Sequence, residues 1–102
     1  MKARTKKGVL MGTAVVTIKV MPESTEVDLE KVKEEVTVLV REFAGERETK
    51  ATIEPVAFGL KCLKYIFVMD EDLGSPDVVS EKIAKLDGVQ SAEVVDVRRA
   101  IG

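Results

Sequence analysis

A chain of 102 residues, 45% hydrophobic and 33% charged, is long enough for one domain with its own core and too apolar to stay disordered. A formal net charge of −2 gives no bulk attraction to nucleic-acid phosphate or to an anionic membrane. The absence of histidine excludes imidazole catalysis and histidine metal sites, and a single cysteine, Cys62, excludes an internal disulfide and suits a reducing cytoplasm.

Residues 1–10, M-K-A-R-T-K-K-G-V-L, are basic and aperiodic. They are expected to be a disordered extension, with Met11-Gly12 as a second plausible start and one domain over residues 11–102. The apolar stretch from Gly8 to Met11 is too short for a signal-peptide core, and no run in the sequence could span a bilayer. Thr13 to Met21 alternates, with Ala14, Val16, Ile18 and Val20 on one face, which predicts a strand with one buried side. Met21-Pro22 ends it, and Glu23 to Val27 is polar linker. Asp28 is a good N-cap with Glu30 in the first turn. Leu29, Val32, Val36, Leu39, Val40 and Phe43 then recur at helical spacing, so a helix is expected to run to about Ala44 and stop at Gly45.

After a charged connection, Ala51 to Val56 reads as a strand, and Pro55 confines it to a sheet edge or a strand end. Ala57-Phe58-Gly59 reads as a turn, with Phe58 either folded back over the rim of the sheet or offered to a partner. From Leu60 to Met69 only Lys61 and Lys64 are charged, which predicts a central strand buried on both faces. Asp70 to Ser75 is an acidic turn. Ser75-Pro76 favours a helix start, and Val78, Val79, Ile83 and Leu86 mark a short amphipathic helix stopped by Asp87-Gly88. Val89 to Val97 alternates as a last strand. Arg98 to Gly102 reads as a tail from which at least one of Arg98 and Arg99 projects beyond the sheet.

The order β-α-β-β-α-β predicts an α+β ferredoxin-like sandwich: a four-stranded antiparallel sheet of order 4-1-3-2 with both helices on one face. The apolar first and third strands take its centre. The core is expected to hold Leu29, Val32, Val36, Leu39, Ile83 and Leu86.

Little in the sequence supports chemistry. No G-x-x-x-x-G-K-S/T loop is present, and Cys62 without a second cysteine reads as a small buried hydrophobe. Tyr65 and Phe67 alternate like the stacking aromatics of an RNA-binding sheet, but no basic surface accompanies them. Asp70, Glu71 and Asp72 fit a solvated loop better than a cation site. No enzyme, metal or cofactor is expected. What remains is Phe58 at a hairpin tip and Arg98-Arg99 after the last strand.

Three stretches, M-G-T-A-V-V-T-I-K-V-M-P-E-S, E-P-V-A-F-G-L-K-C-L-K and G-V-Q-S-A-E-V-V-D-V-R-R-A-I-G, resemble the archaeal translation elongation factor 1-beta family. The resemblance covers Met11 to Gly102. It implies a cytoplasmic guanine-nucleotide exchange factor whose partner is the GTPase elongation factor 1-alpha, with no direct contact to nucleic acid or membrane. Eukaryotic members contact the second domain of that partner with an aromatic in a V-P-x-G-F/Y-G turn. Phe58, followed by Gly59, matches it. They also bring a lysine near the chain end to the partner's magnesium site. Aligning V-Q-S at Val89 to Ser91 puts Arg99 at the lysine's place, with Arg98 as a rival, and the arginines depart from the family pattern. The two contact points are expected at opposite ends of the sheet, roughly 25 Å apart. The alternative is a ferredoxin-like regulatory module that binds a small molecule, which fold alone does not separate from an exchange factor.

Overall fold

Strand β1 (Thr13–Pro22) forms because an alternating, β-branched sequence suits a half-buried pleat. Its residues Val16, Ile18 and Val20 are 0% exposed, and Ala14 is 4% exposed. The computed structural model describes residues 12–100. In it β1 lies between β3 (Lys61–Asp70) and β4 (Val89–Ala100), and β2 (Thr49–Pro55) pairs with the outer side of β3. Every pairing is antiparallel. The order β2-β3-β1-β4 is the expected order read from the other edge. With helices α1 (Leu29–Ala44) and α2 (Asp77–Ala84) it makes the ferredoxin-like α+β fold. The extension expected for residues 1–10 lies outside the described residues.

Helix α1 starts where its cap places it. The Asp28 carboxylate accepts the Glu30 N–H at 3.0 Å, and after the last turn the Gly45 N–H donates to the Arg41 carbonyl at 2.9 Å. Leu29, Val32, Val36 and Val40 are buried, while Leu39 and Phe43 flank them half-buried at the side of the stripe. They meet Leu63, Tyr65, Phe67 and Met69, which stand opposite Val20, Ile18, Val16 and Ala14 on the helix-covered face of the sheet. Tyr65 keeps its buried hydroxyl satisfied by a 2.8 Å hydrogen bond with Thr37 Oγ1 on α1.

Helix α2 is shorter than its apolar pattern suggests. Ser75 Oγ accepts the Asp77 N–H at 3.2 Å, and the Pro76 carbonyl accepts those of Val79 and Ser80. Val79, Ser80 and Ile83 face the core, and the Ser80 hydroxyl is satisfied by donating to the Asp77 carbonyl. Val78, expected on the apolar stripe, is instead 48% exposed, because the inward position it would need is held by the next two residues. Leu86 lies in the turn beyond the helix and is half-buried.

Two expectations about the sheet are corrected. β3 is not buried on both faces: Lys64, Ile66 and Val68 are half-buried, because both helices cover the other side, and only Cys62 is sequestered on the open side. β4 does not end at Val97 but continues to Ala100, paired with the start of β1. Its alternation is also not simple. The register shifts between Thr17 and Ile18 of β1, leaving Val95 as an extra residue, and again between Met21 and Pro22, leaving Gln90 unmatched. Ala92, Val94, Val97 and Arg99 therefore share the helix-covered face, and Ser91, Glu93, Asp96 and Arg98 the open one.

The connection into β4 depends on Gly88. It sits at φ +86, its carbonyl accepts the Glu23 N–H at 2.9 Å, and an added Cβ would lie 3.2 Å from Val27 Cγ1. Gly88→Ala is expected to destabilise the fold by about 2 kcal/mol, through left-handed strain and the displaced Val27. Urea denaturation reads this directly, and an unchanged midpoint would show that the turn relaxes without cost.

Candidate partner-binding ends of the sheet

The β2–β3 hairpin runs from Thr49 opposite Phe67 to Pro55 opposite Lys61. Its turn is closed by the Val56 N–H donating to the Leu60 carbonyl at 2.8 Å and the Leu60 N–H donating to the Ala57 carbonyl at 3.2 Å. To complete the reversal, Phe58 and Gly59 both take left-handed backbone, at φ +63 and +77. For glycine that conformation is free. For phenylalanine it costs about 1 kcal/mol.

No burial offsets this cost, since Phe58 is 96% exposed. Of the two placements open to it from sequence, the ring takes the outward one. A strained backbone under a bare aromatic ring does nothing for the stability of this chain, and such positions concentrate at functional sites. Beside the tip, Gly59, Lys61, Ile53 and the start of α1 border a shallow depression of ≈ 360 Å³. Ile53 is 36% exposed there.

At the other end of the sheet, Arg98 stands opposite Val15 and Arg99 opposite Ala14. The expected tail is thus strand, since continued pairing satisfies the backbone groups at the start of β1. Neither arginine extends past the sheet along its axis. Instead the pleat sends their side chains to opposite faces. Arg98 Nε contacts Asp96 Oδ2 at 3.0 Å on the open face. Arg99 Nε contacts Glu71 Oε2 at 2.7 Å on the helix-covered face. Both arginine side chains remain 80% exposed. Nearby, Arg47 Nη2 hydrogen-bonds Asp70 Oδ1 at 2.8 Å. The acidic turn is therefore engaged by arginines, and among the described residues no three His, Cys, Asp or Glu side chains gather as a metal site.

The two ends cannot touch the same point. Arg99 is opposite Ala14, Ala14 is opposite Met69, and Phe58 lies beyond Lys61 at the far end of β3. From Lys61 to Met69 at strand rise is roughly 26 Å. Sequence reasoning singles out Phe58 and both arginines but misses Glu71 and Asp96 as the ion-pair partners of the arginines. The missing signal was the bulge at Val95, which no glycine or proline marks and which rephases every residue after it.

Residues 15–100 match the family model described as the EF-1 guanine nucleotide exchange domain. Elongation factor 1-beta of Methanothermobacter thermautotrophicus is 43% identical over 89 residues, covering 87% of this chain and 98% of that protein. The protein of the same name from Methanobrevibacter smithii is 41% identical over 90 residues, covering 87% and 98%. That from Methanosarcina barkeri is 36% identical over 89 residues, covering 87% and 99%. These matches separate the two readings that the fold alone leaves open: the chain belongs to the EF-1 guanine nucleotide exchange domain family and serves nucleotide exchange in translation elongation.

Proposed function

We propose that the protein accelerates GDP release from elongation factor 1-alpha by holding that GTPase at two separated points, Phe58 with Gly59 at one and Arg99 at the other. The observation that carries this reading is Phe58, strained at φ +63 and 96% exposed. An aromatic so placed is suited to fill an apolar pocket on a partner and to bury most of its area there. Arg99 supplies the second contact. Its guanidinium stays charged when partly desolvated and can fork onto a carboxylate or a phosphate. Near the nucleotide-bound magnesium of the partner, such a cation competes electrostatically with the metal. Weakening the metal removes a bridge to the phosphates, so GDP leaves faster. Arg98, on the opposite face, has the same chemistry and is the rival for this role.

In this reading the protein makes and breaks no covalent bond itself. It works in the cytoplasm, where translation takes place, and its acidic balance leaves contact with nucleic acid to its partner. The exchange factor changes rates only, and the excess of GTP over GDP gives the direction.

Phe58→Asn tests the first contact, because asparagine tolerates left-handed backbone and cannot fill an apolar pocket. Binding to elongation factor 1-alpha, measured by titration calorimetry, is expected to weaken by about 2 kcal/mol. The melting temperature should hold or rise. Normal binding together with a lowered melting temperature would make the ring a structural one.

Release of a fluorescent GDP analogue tests the second. Arg99→Ala is expected to slow release by about tenfold or more while weakening complex formation less. Arg99→Lys should keep much of the activity, and raising magnesium should oppose exchange by the wild-type protein. If Arg99→Ala and Arg98→Ala both release at the wild-type rate at every magnesium concentration, the arginine end plays no part.

A further inference from the structure

We infer that Glu71 is a positioning residue for exchange, holding the Arg99 side chain in the direction from which it meets the partner. The inference rests on the reading of Arg99 given above. It comes from an asymmetry in the ion pair. Glu71 is the sequestered member, with its side chain 19% exposed, whereas Arg99 at 2.7 Å from it is 80% exposed. A pair formed to hold the chain end onto the sheet would shield both partners. Here the acid forms a fixed socket and the guanidinium is presented to solvent.

The socket is rigid for reasons visible in the backbone. Glu71 opens the short 3-10 turn Glu71–Leu73, immediately after β3. Its N–H donates to the Gly12 carbonyl at 3.1 Å, which extends the β3–β1 pairing past the end of both strands. Its carboxylate therefore has the sheet as its frame of reference. Arg98 has no such socket. Its partner Asp96 is on the same strand, two positions away, and is itself 46% exposed. The bulge at Val95 makes the difference, because it turns Arg99 toward the face on which Glu71 emerges.

An arginine on an edge strand samples many rotamers, and docking it in one of them is entropically costly. A partner already bound to one side of the guanidinium removes part of that cost before docking. With the guanidinium open to solvent, the pair itself contributes little to stability. Its loss should therefore register in exchange and not in folding. The opposite behaviour is also physically possible: Glu71 offsets the arginine's charge, and if it acted as a brake, removing it would hasten exchange.

The experiment is GDP release from elongation factor 1-alpha under saturating exchange factor, with Glu71→Gln made in the wild-type and Arg99→Ala backgrounds. In the wild-type background the maximal release rate is expected to fall about tenfold. The half-saturating concentration and the melting temperature should hardly move. The magnesium concentration that halves the rate should also fall, a shift that a merely structural role would not produce. In the Arg99→Ala background Glu71→Gln should have no further effect. An increase in rate, an unchanged rate, or an equal fall in both backgrounds overturns the role of Glu71. If Arg99→Ala alone leaves release unchanged, the reading of Arg99 fails first, and that outcome is distinct from an active Arg99 with an indifferent Glu71.

Discussion

The ladder between β1 and β3 sets where both ends of the molecule lie. It brings Ala14, Val16, Ile18 and Val20 opposite Met69, Phe67, Tyr65 and Leu63, and all eight point to the helices. A slip of one residue would turn Val16, Ile18 and Val20 to the open face and bring Thr17 and Lys19 beneath α1. Each of the larger side chains is worth about 1.5–3 kcal/mol on burial, so this register has no close competitor. Because Ala14 also pairs with Arg99, the same row fixes the arginine end relative to the hairpin tip. The separation between the candidate contacts is thus a property of the core.

Much of this was legible from the residues. The alternation of Thr13 to Met21 placed β1, Asp28 and Gly45 bounded α1, and Pro55 put β2 on an edge. Part of what could not be read has one physical origin: local backbone departures without a marker residue. Val95 carries no sign that it is an extra residue, so the sequence reads as one unbroken alternation that ends at Val97, with the arginines in a tail. Phe58 gives no sign of its left-handed backbone, since that conformation ordinarily selects glycine or asparagine. The pattern also overstated the burial of Val78 and of the open face of β3. An apolar residue records compatibility with a core, whereas coverage depends on where two short helices can reach.

In the proposed reading the two ends offer different physics to one partner. The hairpin tip is apolar and protrudes, and its affinity would come from burying one ring. The arginine end is charged and sits in a cluster of Glu71, Asp70 and Arg47, where the useful quantity is direction of charge and not area. In the proposed two-point reading, the sheet between them lets binding energy gathered at one end be applied at the other, so that a contact remote from the nucleotide contributes to its release.

The register shifts along β4 have a further consequence. An open sheet has two edges, and an unpaired edge is a template on which another chain can add a strand. The β4 edge is long and carries Val95 and Val97 at 45% and 51% exposure, apolar enough to invite such addition. A straight incoming strand that hydrogen-bonds at one end of β4 is out of step once it passes Val95, and out of step again at Gln90. The bulge that turns Arg99 to the helix-covered face is therefore also a guard against another chain adding its strand along this edge.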